Sequence, residues 1–255
     1  IIEGPISNFS ATDLILSLGD FTEFEGDISM KGLPYIDSTY IKLDIRKLIT
    51  TPEDVAGFNL PLENPNLEMP PPLDQLGIIT IVGRYEGYFA DFKADIDVNT
   101  DVGSLKITGI FSGRNPGGAL VLDGNIKGTD IQLRTLTGSD DLGTVSLEIK
   151  LGGKGSTVNN IVYTVDGWLD NLEFRNYRYA KISIGGEIMA RSFNGKLIIL
   201  DSLLNLGFNG LVDFNGDVPV LDFTIDLEKA RFYDLNLADR SEDMDLKGHL
   251  SGNFR

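Results

Sequence analysis

Hydrophobic and polar residues alternate along nearly the whole chain with a period of two, the period of a strand. From Ile79 to Phe89 one face reads Ile79, Ile81, Gly83, Tyr85, Gly87 and Phe89, and the other Thr80, Val82, Arg84, Glu86 and Tyr88. Between Thr144 and Leu151, Val145, Leu147, Ile149 and Leu151 oppose Thr144, Ser146, Glu148 and Lys150. Leu221, Phe223, Ile225 and Leu227 alternate with Asp222, Thr224, Asp226 and Glu228. One-sided alternation predicts sheet with one apolar and one wet face, in strands of roughly 8–12 residues. Helical spacing is nearly absent. The one predicted helix is short, at Thr51-Pro52-Glu53-Asp54-Val55, with Thr51 as N-cap and Pro52 in the first position.

Many glycines sit inside these strands, in the apolar register, where glycine is not turn punctuation. Phe24, Gly26, Ile28, Met30 and Gly32 share a face, as do Leu120, Leu122, Gly124, Ile126 and Gly128. The same holds for Leu204, Leu206, Phe208, Gly210, Val212 and Phe214, and for Leu246, Gly248, Leu250, Gly252 and Phe254. An in-strand glycine marks a bend, a bulge or a close approach. Repeated on one face, it predicts a strongly curved sheet, concave on its apolar side; barrel corners or ordinary bulges are the alternative. Asn215-Gly216 predicts a tight hairpin turn. The stretch from Gly57 to Gln75, with Pro61, Pro65 and Pro70-Pro71-Pro72, predicts an irregular loop or strap.

Composition narrows the function. With 22 Lys plus Arg against 38 Asp plus Glu, the formal net charge is −16, which argues against nucleic acid and anionic membrane surfaces as partners. The absence of cysteine removes disulfides, thiolate metal sites and Cys nucleophiles. No apolar run is long enough to span a bilayer, and no signal peptide is visible. Both ends fall inside strand-like text, so the chain reads as a piece of a longer protein.

No catalytic constellation stands out, and neither an enzymatic activity nor a cofactor or metal is expected. His249, the single histidine, is out of register with Leu250 and belongs to the wet face. Asp95, Asp97, Asn99 and Asp101 have the spacing of a calcium loop, but that loop needs Gly and Glu where Thr100 and Lys106 stand; they read as the polar face of a strand. Glu242, Asp243 and Asp245 read as a solvated turn. Gly152-Gly153-Lys154-Gly155-Ser156 lacks the spacing of a phosphate loop. Asn8-Phe9-Ser10 is a glycosylation triplet, relevant only to a eukaryotic secreted protein. Carboxylate pairs along wet faces do not make a glycosidase cleft.

From Asp166 to Leu237 the text acquires a recognisable style. It runs through Asp166-Gly167-Trp168-Leu169, Tyr177-Arg178-Tyr179-Ala180-Lys181-Ile182, Phe193-Asn194-Gly195-Lys196-Leu197, Phe208-Asn209-Gly210-Leu211-Val212-Asp213, Pro219-Val220-Leu221-Asp222-Phe223 and Leu235-Asn236-Leu237. Phe24-Glu25-Gly26-Asp27-Ile28 and Gly32-Leu33-Pro34 extend it into the first half. This resembles the large AsmA-like proteins of Gram-negative envelopes, specifically their TamB-like branch, which has no active-site motif. The resemblance implies an all-β fold in which one long, curved antiparallel-type sheet over residues 1–255 folds lengthwise into an apolar trough. It implies a periplasmic protein, anchored in the inner membrane by a region outside this segment. Such proteins carry phospholipid between inner and outer membranes, or assist outer-membrane biogenesis beside a β-barrel partner met through another outside region.

The expected lining, in contact with phospholipid acyl chains, is Phe24, Ile28, Met30, Ile79, Ile81, Tyr85, Leu105, Ile107, Leu122, Ile126, Val145, Leu147, Ile149, Ile182, Ile184, Leu206, Phe208, Leu221, Phe223 and Ile225. These are the apolar-register members of successive strands. The competing readings are a surface structural or adhesive sheet protein, whose apolar face is packed core, and a periplasmic chaperone offering its trough or sheet edge to unfolded outer-membrane proteins.

Overall fold

The computed structural model describes residues 2–3, 5, 7–57, 73–113, 120–155, 162–238 and 248–254. Among them, fifteen strands form one antiparallel sheet whose spatial order follows the chain. Its first and last strands are not neighbours, so the sheet is not closed into a barrel. The chain divides into two compact units, Ile1–Asn125 with Thr135–Thr137, and Ile126–Arg134 with Gly138–Arg255.

The first unit holds β1 (Ile2–Glu3), β2 (Asn8–Leu18), β3 (Thr22–Lys31), β4 (Tyr40–Thr50), α1 (Pro52–Gly57), β5 (Ile79–Tyr88), β6 (Asp91–Thr100), β7 (Gly103–Ser112) and the start of β8 (Leu120–Gln132). The second holds the rest of β8, β9 (Thr144–Gly155), β10 (Val162–Phe174), β11 (Tyr177–Met189), β12 (Ser192–Leu200), β13 (Leu204–Asp213), β14 (Val220–Ala230) and β15 (Gly248–Phe254). A five-residue helix, α2 (Leu133–Thr137), follows β8. From β2 to β14 the strands run from 9 to 13 residues, slightly past the expected upper length. Sequential antiparallel hairpins need only short connections, which is why the alternating text so seldom breaks.

The predicted helix is α1, and the Asp54 N–H donates to Thr51 Oγ1 at 3.3 Å. Its Asp54 carboxylate reaches back to the β2–β3 turn. There it accepts the Phe21 N–H and the Thr22 hydroxyl, each at 2.8 Å, and the Asp20 N–H at 3.3 Å. Buried Thr22 also meets the Thr50 hydroxyl at 2.7 Å. The Thr22 hydroxyl, then the Phe21 N–H, hold the Asp54 carboxyl below its usual range. A carboxylate depressed by folding stabilises above its unfolded pKa of about 4, and that contribution is lost as pH falls through the folded value. Asp54→Asn is therefore expected to lower the melting temperature at pH 7, with the gap to wild type closing below about pH 4. Circular-dichroism melts across pH check this.

One turn and the ends of two apolar rows differ from expectation. Asp213 pairs with Val220, so the β13–β14 connection is a six-residue loop rather than a tight turn at Asn215-Gly216. The Asp213 carboxylate accepts the backbone N–H and side-chain amide of Asn215, each at 2.7 Å, and that local bond displaces the two-residue geometry. Phe89 and Phe214, read as the last members of apolar rows, lie past the strand ends and are 56% and 44% exposed. Residues 58–72 of the proline-rich stretch, the acidic turn at 242–245 and the His249 side chain lie outside the described residues.

Candidate functional site

Directly opposed residues of an antiparallel pair share a face, so pairing can be followed from strand to strand. In the first unit, Phe24 opposes Leu48, Leu48 opposes Ile81, Ile81 opposes Val98, and Val98 opposes Leu105. Ile28 leads through Leu43 to Tyr85, and Met30 through Ile41 and Gly87 to Phe92 and Phe111. Ile45, Gly83, Ile96 and Ile107 form the row between. Ile79 shares the face opposite Thr50. On β8, Leu122 and Ile126 share a face with Gly124, which lies against Gly109 of β7.

In the second unit, Leu147 opposes Leu169, followed by Ile182, Ile199, Leu206 and Leu227. Ile149 begins the next row, through Gly167, Ile184 and Leu197 to Phe208 and Ile225. Val145 alternates with Leu147, and Phe223 and Leu221 continue the face opposite Gly210 and Val212. The sequence reading omitted several members of these faces: Ile41, Leu43, Ile45, Phe92, Phe111 and Leu197. Their alternation was visible. In β6, Phe92, Ala94, Ile96 and Val98 share the apolar face and alternate with Lys93, Asp95, Asp97 and Asn99.

The glycines on these faces have a specific cause. A Cβ on Gly210, where φ is +150°, would lie 2.5 Å from the Phe223 Cα and against the Asp222 carbonyl oxygen. One on Gly83, where φ is +142°, would lie 2.7 Å from the Ile96 Cα. That backbone region is essentially reserved for glycine. On the opposite face, Gly207 meets nothing closer than Asp226 Cβ at 4.0 Å. Among the described glycines inside strands, close approach to a neighbouring backbone thus falls on those in the apolar register, Gly26, Gly109, Gly167 and Gly195 included.

Burial along the apolar faces is partial. Phe24, Ile79, Val145 and Ile182 are buried, and the other sixteen expected lining residues are half-buried. Among the described residues, the close backbone contacts between elements run between sheet neighbours and between α1 and the 3₁₀ turn at Leu73–Gln75. Aromatic rings add to the surface. Phe92 stacks on Tyr85 at 5.0 Å and meets Phe111 at 5.6 Å, and Phe208 lies 6.3 Å from Phe193 and 5.8 Å from Phe223. Burial pushes the Tyr85 and Tyr179 hydroxyls above their ordinary values, so both stay neutral at pH 7.

One end of the second unit is packed. The segment after β14 turns back, with the Leu235 N–H bonded to the Arg231 carbonyl at 3.1 Å. Leu235 and Ala230 are fully buried with Tyr179, Ile182 and Leu204, and Phe232 and Leu237 pack around them. The Asn236 side-chain amide donates to the Arg175 carbonyl at 2.7 Å. Asp201 ties the same end, accepting from the Tyr177 hydroxyl, the Ala180 N–H at 3.0 Å and the Leu203 N–H at 2.9 Å. Desolvation raises the Asp201 pKa, but these bonds outweigh it and hold the group below its ordinary range.

The wet face is laced across strands. Arg84 pairs with Asp44 at 3.2 Å, Lys106 with Asp97 at 3.1 Å, and Lys47 with Glu23 at 2.9 Å. The Asp95–Asp97–Asn99 run is therefore a strand face with its own counter-ion. Gly152–Gly155 is the end of β9. Among the described residues no cluster of His, Cys, Asp or Glu could hold a metal. No helix of the described residues is long and apolar enough to cross a membrane. Searches of family models, curated proteins and solved structures find no match to the chain.

Proposed function

We propose that this chain is a segment of a TamB-like lipid conduit, whose apolar faces hold phospholipid acyl chains in transit between the inner and outer membranes. The observation that carries the reading is the state of those faces. Each unit gathers its apolar residues on one side by register, and most of them remain half-buried. A packed sandwich buries such residues at crystal-like density, so the adhesive-sheet alternative fits less well.

The energetics suit passage rather than storage. Burying an acyl chain gains about 0.8 kcal/mol per CH₂, or roughly 13 kcal/mol for a ~16-carbon chain leaving water. Moving from a bilayer to an equally apolar face is then near neutral. A phospholipid analogue whose fluorescence rises in apolar surroundings is expected to bind the purified segment saturably, and to be displaced by unlabelled phospholipid. An unchanged emission across the titration counts against the reading. Contact with a β-barrel partner and the inner-membrane anchor belongs to regions outside this segment.

A further inference from the structure

Resting on that reading, we propose that phospholipid lies on the second unit in one polarity, its chain terminus against the Leu235 cap and its phosphate beside Arg191.

The two ends of the strands differ. At the capped end Leu235, Ala230 and Leu204 are buried, and the cations are engaged. Arg231 pairs with Asp234 at 3.0 Å, Arg175 with Asp141 at 3.4 Å and Arg178 with Glu173 at 3.8 Å, while Lys229 donates to the Ser202 carbonyl. At the opposite end the apolar face finishes in the row of Ile188, Phe193, Val212 and Leu221. Beyond it Arg191, in the β11–β12 turn, is exposed and makes no ion pair or side-chain hydrogen bond among the described residues. Its neighbour Asp213 is turned to Asn215. A free guanidinium beside an apolar lane suits a phosphate diester.

The lane has a suitable length. Val212, opposite Phe193, stands six residues along the strand from Leu206, just inside the cap, about 20 Å away. One leaflet of a bilayer core is about 15 Å thick. An acyl chain therefore fits between cap and turn with its glycerol near Phe193. The reverse polarity sets the phosphate against a cluster of buried leucines, where an unpaired charge is costly.

The test uses the whole chain with vesicles of phosphatidylethanolamine and phosphatidylglycerol. The vesicles carry a trace of phospholipid with a diazirine either at the acyl terminus or next to the glycerol. Mass spectrometry after irradiation is expected to place the terminal probe on Leu206 and Leu227, and the glycerol probe on Phe193, Val212 and Leu221. Arg191→Ala should weaken glycerol-probe labelling about threefold, as expected for one exposed ion pair, with Arg191→Lys restoring most of it. Reversed or identical labelling patterns overturn the polarity and leave the conduit reading standing. Unchanged labelling in Arg191→Ala overturns the phosphate assignment. Labelling of neither set by either probe overturns the polarity and the conduit reading together.

Discussion

Gly210→Ala is expected to destabilise the second unit severely, while Gly207→Ala, three residues away on the same strand, leaves it nearly unchanged. At Gly210 the new methyl group falls on the backbone of β14, against the Asp222 carbonyl and 2.5 Å from the Phe223 Cα, and φ is +150°. Neither the neighbouring backbone nor the dihedral can give way without disturbing the pairing of β13 with β14. Strain and overpacking together cost about 3 kcal/mol or more, or a fall of roughly 10 °C in melting temperature for a unit of this size. At Gly207 the nearest atom is an ordinary contact away at 4.0 Å, and a strand gains slightly when glycine becomes alanine. Thermal melts of the two variants decide the matter. Equal melting temperatures would mean that the apolar-face glycines impose no geometry.

The second large effect separates a packed face from an open one. Val145 is 2% exposed, so Val145→Asp buries an unpaired carboxylate and costs several kcal/mol. Loss of cooperative unfolding near room temperature is the expected result. Ile149, four residues along the same face, is half-buried and opposes Gly167. Asp in its place can reach water, so the fold should survive with a loss of about 1 kcal/mol. The charge would instead interrupt the apolar lane, and cells carrying the variant in the full-length protein are expected to show a leaky outer membrane. The same conclusion follows for Leu147→Asp. Intact lipid transport in a well-folded Ile149→Asp protein contradicts the conduit, and gross unfolding favours the packed-core alternative.

The all-β class was legible because alternation survives almost every strand. Register came with it, since a one-residue slip in β9 or β14 would turn an entire apolar set outward. The placement of α1 followed from Thr51 and Pro52. What the alternation did not contain was anything set by distant neighbours. The cap formed by Phe232, Leu235 and Leu237 depends on β10–β14 being brought together, and its text reads like one more strand end. The Asp54 link to the β2–β3 turn spans 33 residues in sequence, from Phe21 to Asp54, and nothing local announces it. The Asn215 loop shows the reverse case, where a side-chain bond two residues away overrode a strong turn dipeptide.

Native mass spectrometry of the purified chain with its co-extracted lipid tests the central claim most directly, with Ile149→Asp run beside it. The account predicts wild-type chain carrying additional mass equal to intact phospholipids, released by collisional activation, and a folded Ile149→Asp variant that carries much less. Wild-type chain that flies bare under conditions that preserve the fold, or a variant that carries the same lipid load, contradicts it.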